Sequence, residues 1–323
     1  MGTFQRAAAR LFNQRGRMLL TVGLALCLSC AGTKPKPAEQ PPEAAAEAHS
    51  AMEYLENAHS YFEENDFDRA IHDASEAIRL NPDREVAGAA YVLRGGAYFG
   101  KENYDLAIKD YTEAMQLVAD SNELAMVYNL RAVAHIVKDS YDLAIKDASK
   151  GIQLTTDEDE LAMAYNLRAE AHLATLNYDH AIRDASEVIR LNSDGDDAAL
   201  AFVYRSAAYA EKGDSGQAAA DFSAAITMKP HNAGLYNQRA WIYAHSLKKD
   251  FDRAIEDANR AIELEPEEAN FYDTRGWAYF GKGDYDSAVS DFSKALELHP
   301  NMSSSKDGLK KAQDALTAKQ AAK

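Results

Sequence analysis

The sequence is short of several residue types, and each shortage excludes something. Among 323 residues there are two cysteines, Cys27 and Cys30, so nothing beyond residue 30 can form a disulfide within the chain. There are eight prolines, and five of them (Pro35, Pro37, Pro41, Pro42 and Pro82) precede residue 83, which leaves the rest of the chain free to be helical. Strand-like alternation of apolar and polar residues is missing. Basic residues are too few to balance the acids, and the formal net charge of −16 argues against a nucleic-acid partner, since phosphate binding needs a basic surface. No GxSxG, HExxH or phosphate-cradling glycine loop occurs, and beyond residue 30 there is no cysteine for a CxxC, which points away from an enzyme and from a bound cofactor or metal. A hydrophobic fraction of 46% nevertheless suffices for a folded core.

What is present begins with an N-terminal address. Residues 1–29 hold Arg6, Arg10, Arg15 and Arg17 and no acid, and Met18 to Leu28 forms an apolar run too short to span a bilayer comfortably. This reads as a signal peptide. The run ends at Ser29-Cys30 and so resembles the bacterial lipoprotein signal, although Cys27 stands where that family usually has leucine. The resemblance implies that Cys30 is lipidated. Residues 30–50 are rich in proline, alanine and glutamate and suit a tether between lipid and folded body. Setting residues 1–29 aside changes the net charge from −16 to −20, so any membrane attachment must come from the lipid and not from a basic surface.

The body is repetitive. DFDRAIHDASEAIRLNP at 66–82 recurs six more times, ending with DYDSAVSDFSKALELHP at 284–300. Its first alanine falls at Ala70, Ala107, Ala144, Ala181, Ala218, Ala254 and Ala288, at spacings of 37, 37, 37, 37, 36 and 34. A second segment precedes each copy, such as YNLRAVAH at 128–135. Both have helical periodicity, and the polar turn between them carries residues suited to capping. The unit is helix A, turn, helix B. Small residues at 95, 132, 169, 206, 240 and 276 mark where the two helices cross.

With Tyr272, Gly276, Tyr279, Tyr285, Ala288, Phe292, Ala295 and Pro300 in register, the unit resembles the tetratricopeptide repeat (TPR). That resemblance implies an all-α, right-handed superhelical solenoid of seven units, at about 51–87, 88–124, 125–161, 162–198, 199–232, 233–268 and 269–302, with a C-terminal capping helix and tail at 303–323. Repeats two to four depart from the family in lacking its terminal proline. They also have three extra residues, which either lengthen a helix or widen a turn, and repeat six has two more around Lys248-Lys249.

Two series exceed the family pattern. Helix A carries Arg94, Arg131, Arg168, Arg205, Arg239 and Arg275; helix B carries Asp73, Asp110, Asp147, Asp184, Asp221, Asp257 and Asp291. The arginine slot is ordinarily apolar in the family, so these charges should be partly buried and need partners. A structural ladder is expected in preference to an acidic-ligand site. Repeat one has Asn57 in the arginine slot, which suggests that each aspartate pairs with the arginine of the following repeat and leaves Asp291 over.

By position in the family, helix A lines a concave groove. The candidates there are Asn129, Asn166, Asn237, Trp241, Asn270, Asp273 and Trp277; the asparagines would read peptide backbone and the tryptophans would form an apolar platform. The basic clamp of chaperone-binding TPR domains is absent. His135 and His172 occupy a slot filled by tyrosine in other repeats and are packing residues. The expected role is a membrane-anchored, non-enzymatic scaffold binding extended or helical segments of bacterial envelope proteins, placed at the periplasmic face of the outer membrane, with secretion or the inner membrane as the alternative location. The alternative role is an assembly factor for an envelope machine, in which self-association would matter, and an enzyme on a TPR scaffold is a third class.

Overall fold

The computed structural model describes residues 50–321 apart from 81, 192–194 and 248–249. The signal peptide, Cys30 and the tether therefore lie outside the described residues, as do Lys248-Lys249. Every described element is helical, and consecutive helices form helix–turn–helix pairs. The chain divides into two compact units within the fourth repeat, between residues 175 and 176.

The first unit contains α1 (Ala51–Glu63), α2 (Phe67–Arg79), α3 (Arg84–Gly100), α4 (Tyr104–Leu117), α5 (Ser121–Val137), α6 (Tyr141–Leu154) and α7 (Glu158–Ala174). Helix A has 13 residues in repeat one but 17 in α3, α5 and α7, so the three extra residues lengthen helix A. Repeats two to four accordingly begin at 84, 121 and 158, four residues ahead of 88, 125 and 162. Side-chain caps set these starts. Ser50 and Glu53 form a reciprocal capping box, and Asp83 accepts from the Val86 amide. Asp157 accepts from the amides of Asp159 and Glu160, so the acidic run at 156–160 is a helix start. The core runs through Leu55, Val92, Leu93, Tyr111 and Val127 to Val133 and Leu167.

The second unit contains α8 (Tyr178–Leu191), α9 (Asp196–Glu211), α10 (Ser215–Met228), α11 (Ala233–Trp241), α12 (Phe251–Leu264), α13 (Ala269–Lys282), α14 (Tyr285–Leu298) and α15 (Ser303–Ala321). Its core includes Tyr204, Phe222, Ile226, Leu235, Ile242, Phe271 and Phe292. α11 continues into a π-helical turn, Ile242–Leu247, at the place where the sequence has its two-residue insertion.

Each A–B turn holds one residue in the left-handed region. These are Asn65, Glu102, Asp139, Leu176, Gly213, Asp250 and Gly283, with φ between 55° and 83°. In repeats one, two, three, five and seven the amide after the left-handed residue reaches back to a carbonyl in the last turn of helix A, as in Asp66 N–H to Tyr61 O at 2.8 Å and Asn103 N–H to Tyr98 O at 2.8 Å. This closes helix A and starts helix B within four residues. Repeat six differs, since Asp250 is both the left-handed residue and the cap position before Phe251.

Candidate functional site

The arginine series is the most regular polar feature, and its pairing corrects the register expected from sequence. Five arginines grip the aspartate of their own repeat. Arg94 donates to both carboxylate oxygens of Asp110, Nε to Oδ2 at 2.7 Å and Nη2 to Oδ1 at 2.9 Å. Arg131 does the same to Asp147, Arg205 to Asp221, Arg239 to Asp257 and Arg275 to Asp291, all between 2.7 and 2.8 Å. Asp147 therefore pairs with Arg131 and not with Arg168, and Asp291 is not left over.

The remaining Nη1 of each arginine reaches into the preceding repeat and finds a neutral acceptor two residues beyond that repeat's aspartate. The acceptors are Ser75 for Arg94, Thr112 for Arg131, Ser149 for Arg168, Ser186 for Arg205, Ser223 for Arg239 and Asn259 for Arg275. Aromatic rings three residues upstream flank the guanidinium, with Tyr91, Tyr128, Tyr165, Phe202 and Tyr272 at 5.3–5.7 Å. The aspartates at 110, 147, 221, 257 and 291 are buried, and their carboxylates hold the guanidinium pKa values of the five gripping arginines above the ordinary range. Asp73, which has Asn57 in its arginine slot, takes His72 Nδ1 at 2.7 Å instead. A fork that engages both carboxylate oxygens closes each of these five pairs on itself.

The asparagines proposed for the groove are buried. Asn129 is wholly inaccessible, and its Nδ2 donates to the Glu160 carbonyl at 3.2 Å and to Glu160 Oε2 at 2.9 Å, joining repeat three to the start of α7. Its Oδ1 sits where a Cβ on residue 151 would approach within 2.5 Å, so residue 151 must be glycine for α5 and α6 to lie this close. Asn166 and Asn237 are also buried. All three pack helices and cannot meet a peptide backbone without repacking. Asn270 Nδ2 bonds Glu268 Oε1 at 2.5 Å beside the start of α13.

The tryptophans divide. Trp241 is 37% exposed and stacks on His245 with ring centroids 5.0 Å apart and planes 13° from parallel. Trp277 is instead overlaid by α15. Its Nε1 donates to Ser304 Oγ at 3.0 Å, and its ring makes edge contacts with Phe292, Phe280 and His245 at 5.2, 5.7 and 5.8 Å. Lys311 Nζ lies 5.5 Å from the ring centroid. Asp273 accepts from Ser304 Oγ at 2.9 Å and from Ser305 Oγ at 2.5 Å; burial raises its pKa, with the two hydroxyls and the nearby His245 opposing. Asp273 and Trp277 are thus the seat of the terminal helix. His245, Ser304, Ser305 and Lys311 were not among the candidates. The sequence signal for the last three is their place in a helix-A register 34 residues after α13.

Among the described residues no group of three or more His, Cys, Asp or Glu is arranged to hold a metal, and no helix is long and apolar enough to cross a membrane. Three family models, each described as tetratricopeptide repeat, match residues 55–122 and 166–233, residues 233–268 and residues 269–302. A search of curated proteins returns no match. Among solved structures, a tetratricopeptide repeat protein from Parabacteroides merdae is similar at 20% identity and TM-score 0.60, over 81% of this chain and 98% of that one. The Cut9–Hcn1 assembly of the APC/C is similar at 18% identity and TM-score 0.60, and the match takes in 80% of this chain but 48% of the other. YrrB, a TPR protein described as having an unusual peptide-binding site, is similar at 16% identity and TM-score 0.51, over 62% and 98% of the two chains.

Proposed function

Because the chain belongs to the tetratricopeptide repeat family, we propose that it is a non-enzymatic scaffold, held by a lipid on Cys30 at a bacterial envelope membrane, that binds helical or extended segments of other envelope proteins. The fold is one of protein-interaction scaffolds. A stack of helix pairs that satisfies its charges internally gives a stiff surface, and stiffness lowers the entropic cost of holding a partner. The observation that carries the reading is Trp241. It is a large aromatic left 37% exposed on a helix A, braced from one side by His245. Exposed aromatics on rigid supports are the usual anchors of protein interfaces. YrrB supplies an analogy at the level of fold for peptide binding by such a stack.

The lipid attachment rests on the apolar run ending at Ser29-Cys30 and the proline-rich stretch behind it. Acidic repeats repel anionic headgroups, so a tether would hold them off the membrane. One experiment addresses both halves. A photo-crosslinking amino acid placed at 241 should capture one or a few envelope proteins, and Cys30→Ser should move the protein out of the membrane fraction or leave the precursor uncleaved. No specific adduct at 241 refutes the scaffold reading, and a Cys30→Ser protein processed and fractionated like the wild type refutes the anchor.

A further inference from the structure

The terminal helix is held differently from the A helices α11 and α13 of its unit. α15 has the register of a helix A. Phe271, Thr274 and Ala278 are buried on α13, and 34 residues later Ser305, Gly308 and Ala312 are buried on α15. Arg275 corresponds to Leu309, so the ladder does not extend into α15. No aspartate-bearing helix follows α15 among the described residues, and an arginine there would be a stranded charge.

The fully buried contributions of α15 are a serine, a glycine and an alanine, whereas α13 buries Phe271 and α11 buries Leu235. Small side chains remove little apolar area from water. The aromatic surface beneath, made by Trp277, Phe280 and Phe292, is met by Gly308 and the half-buried Leu309. The polar contacts cut both ways. Ser304 and Ser305 satisfy the Asp273 carboxylate, but docking withdraws that carboxylate from water, which opposes its charged form. Undocking would rehydrate Asp273 and uncover an acidic and aromatic seat.

We propose that α15 is an internal ligand of this seat: it undocks while the repeats stay folded, and the vacated seat takes an amphipathic helix of the same chemistry. That chemistry is read from α15 itself. The first turn bears hydroxyls for Asp273 and the Trp277 indole, a glycine or similarly small residue meets Phe292, and a lysine seven residues after the first of those hydroxyls lies over Trp277. The inference deepens the scaffold reading and rests on it for its biological meaning, because it makes occupancy of one end of the binding surface self-regulated.

Hydrogen exchange on the full chain tests the undocking. Amides of 303–321 should exchange at least tenfold faster than those of α14, at a rate insensitive to low urea. In a Trp241→Phe background, Gly308→Val should make Trp277 accessible to acrylamide and speed exchange in α15 alone, because the new Cβ would lie about 2.5 Å from the Phe292 ring. A synthetic 303–321 peptide, but not a scrambled one, should then restore protection of Trp277. Ser304→Ala combined with Ser305→Ala is a second variant with the same readouts, should Gly308→Val unfold the unit. The proposal is overturned if α15 and α14 exchange together through global unfolding, or if the peptide fails to re-protect Trp277. These readouts need no outside partner. Undocking and re-docking with no crosslinked envelope protein would retain the internal ligand and remove the scaffold function.

Discussion

Arg131 offers the sharpest test of the ladder. Its guanidinium makes two bonds of 2.8 Å to Asp147 and a third of 2.8 Å to Thr112 Oγ1, and Asp147 is 3% exposed. Removing Arg131 leaves a buried carboxylate with no counter-charge, for which about 3–5 kcal/mol is the usual penalty. The lower end applies, because the arginine side chain is itself 19% exposed, so water can reach the gap. We expect about 3 kcal/mol for Arg131→Ala, a similar loss for Asp147→Ala, and not much more for the two together, which gives a coupling of about 2 kcal/mol. Thr112→Ala removes a neutral acceptor and should cost about 1 kcal/mol. Urea denaturation of the full chain followed by far-ultraviolet circular dichroism measures all four. The cycle pairing Asp147→Ala with Arg168→Ala should show a much smaller coupling. Strong coupling to Arg168 with none to Arg131 would refute the in-repeat register and restore the pairing suggested by the sequence.

Asn57→Arg should complete the missing fork with Asp73, whose side chain is 13% exposed, and stabilise repeat one by about 1 kcal/mol, seen as slower exchange in α1 and α2. Leu176 has φ 62° and is 51% exposed, so Leu176→Gly relieves a left-handed strain while giving up little burial; a gain of about 1 kcal/mol in urea denaturation is expected. His135 is buried, with Nε2 3.7 Å from Asp147, and burial lowers its pKa against the opposing pull of Asp147, with Arg131 and Lys138 adding to the lowering. Its folded form therefore prefers to be neutral. The associated stability is present above about pH 6.5 and is lost as the pH falls through that value towards the lower folded pKa. His135→Tyr should flatten the stability profile between about pH 7 and 5, and an unchanged slope would count against the assignment.

The repeat count, the helix pairs and the capping helix were all readable from the sequence, because helical period and repeat period both survive divergence. The register of the ladder was not. Sixteen residues separate Arg94 from Asp110 and twenty-one separate Asp73 from Arg94, and both spacings join a helix A to a helix B. Counting pairs favoured the wrong one. The decisive signal was present but silent alone: a serine, threonine or asparagine two residues after the aspartate at 75, 112, 149, 186, 223 and 259 is what the preceding repeat offers to the arginine. The covering of Asn129 and Trp277 was hidden for a different reason. Position in a helix names a face, but what covers that face depends on neighbours. Asn129 is sealed by the start of α7, and Trp277 is partly covered by a helix whose glycine lets it come close to Phe292.

The in-repeat fork has a corollary for the ends of the array. Five repeats carry their own counter-ion in the Arg94, Arg131, Arg205, Arg239 and Arg275 forks, and what each borrows from the preceding repeat is a neutral hydroxyl or amide. Had the charges been shared across repeat boundaries, the first arginine and the last aspartate of an array would have been left without a counter-charge, each at a cost that is a large part of a domain's whole margin of stability. With the pairs closed inside the unit, a terminal repeat is neutralised as fully as an internal one, so the ladder makes no special demand on whichever repeat stands at an end.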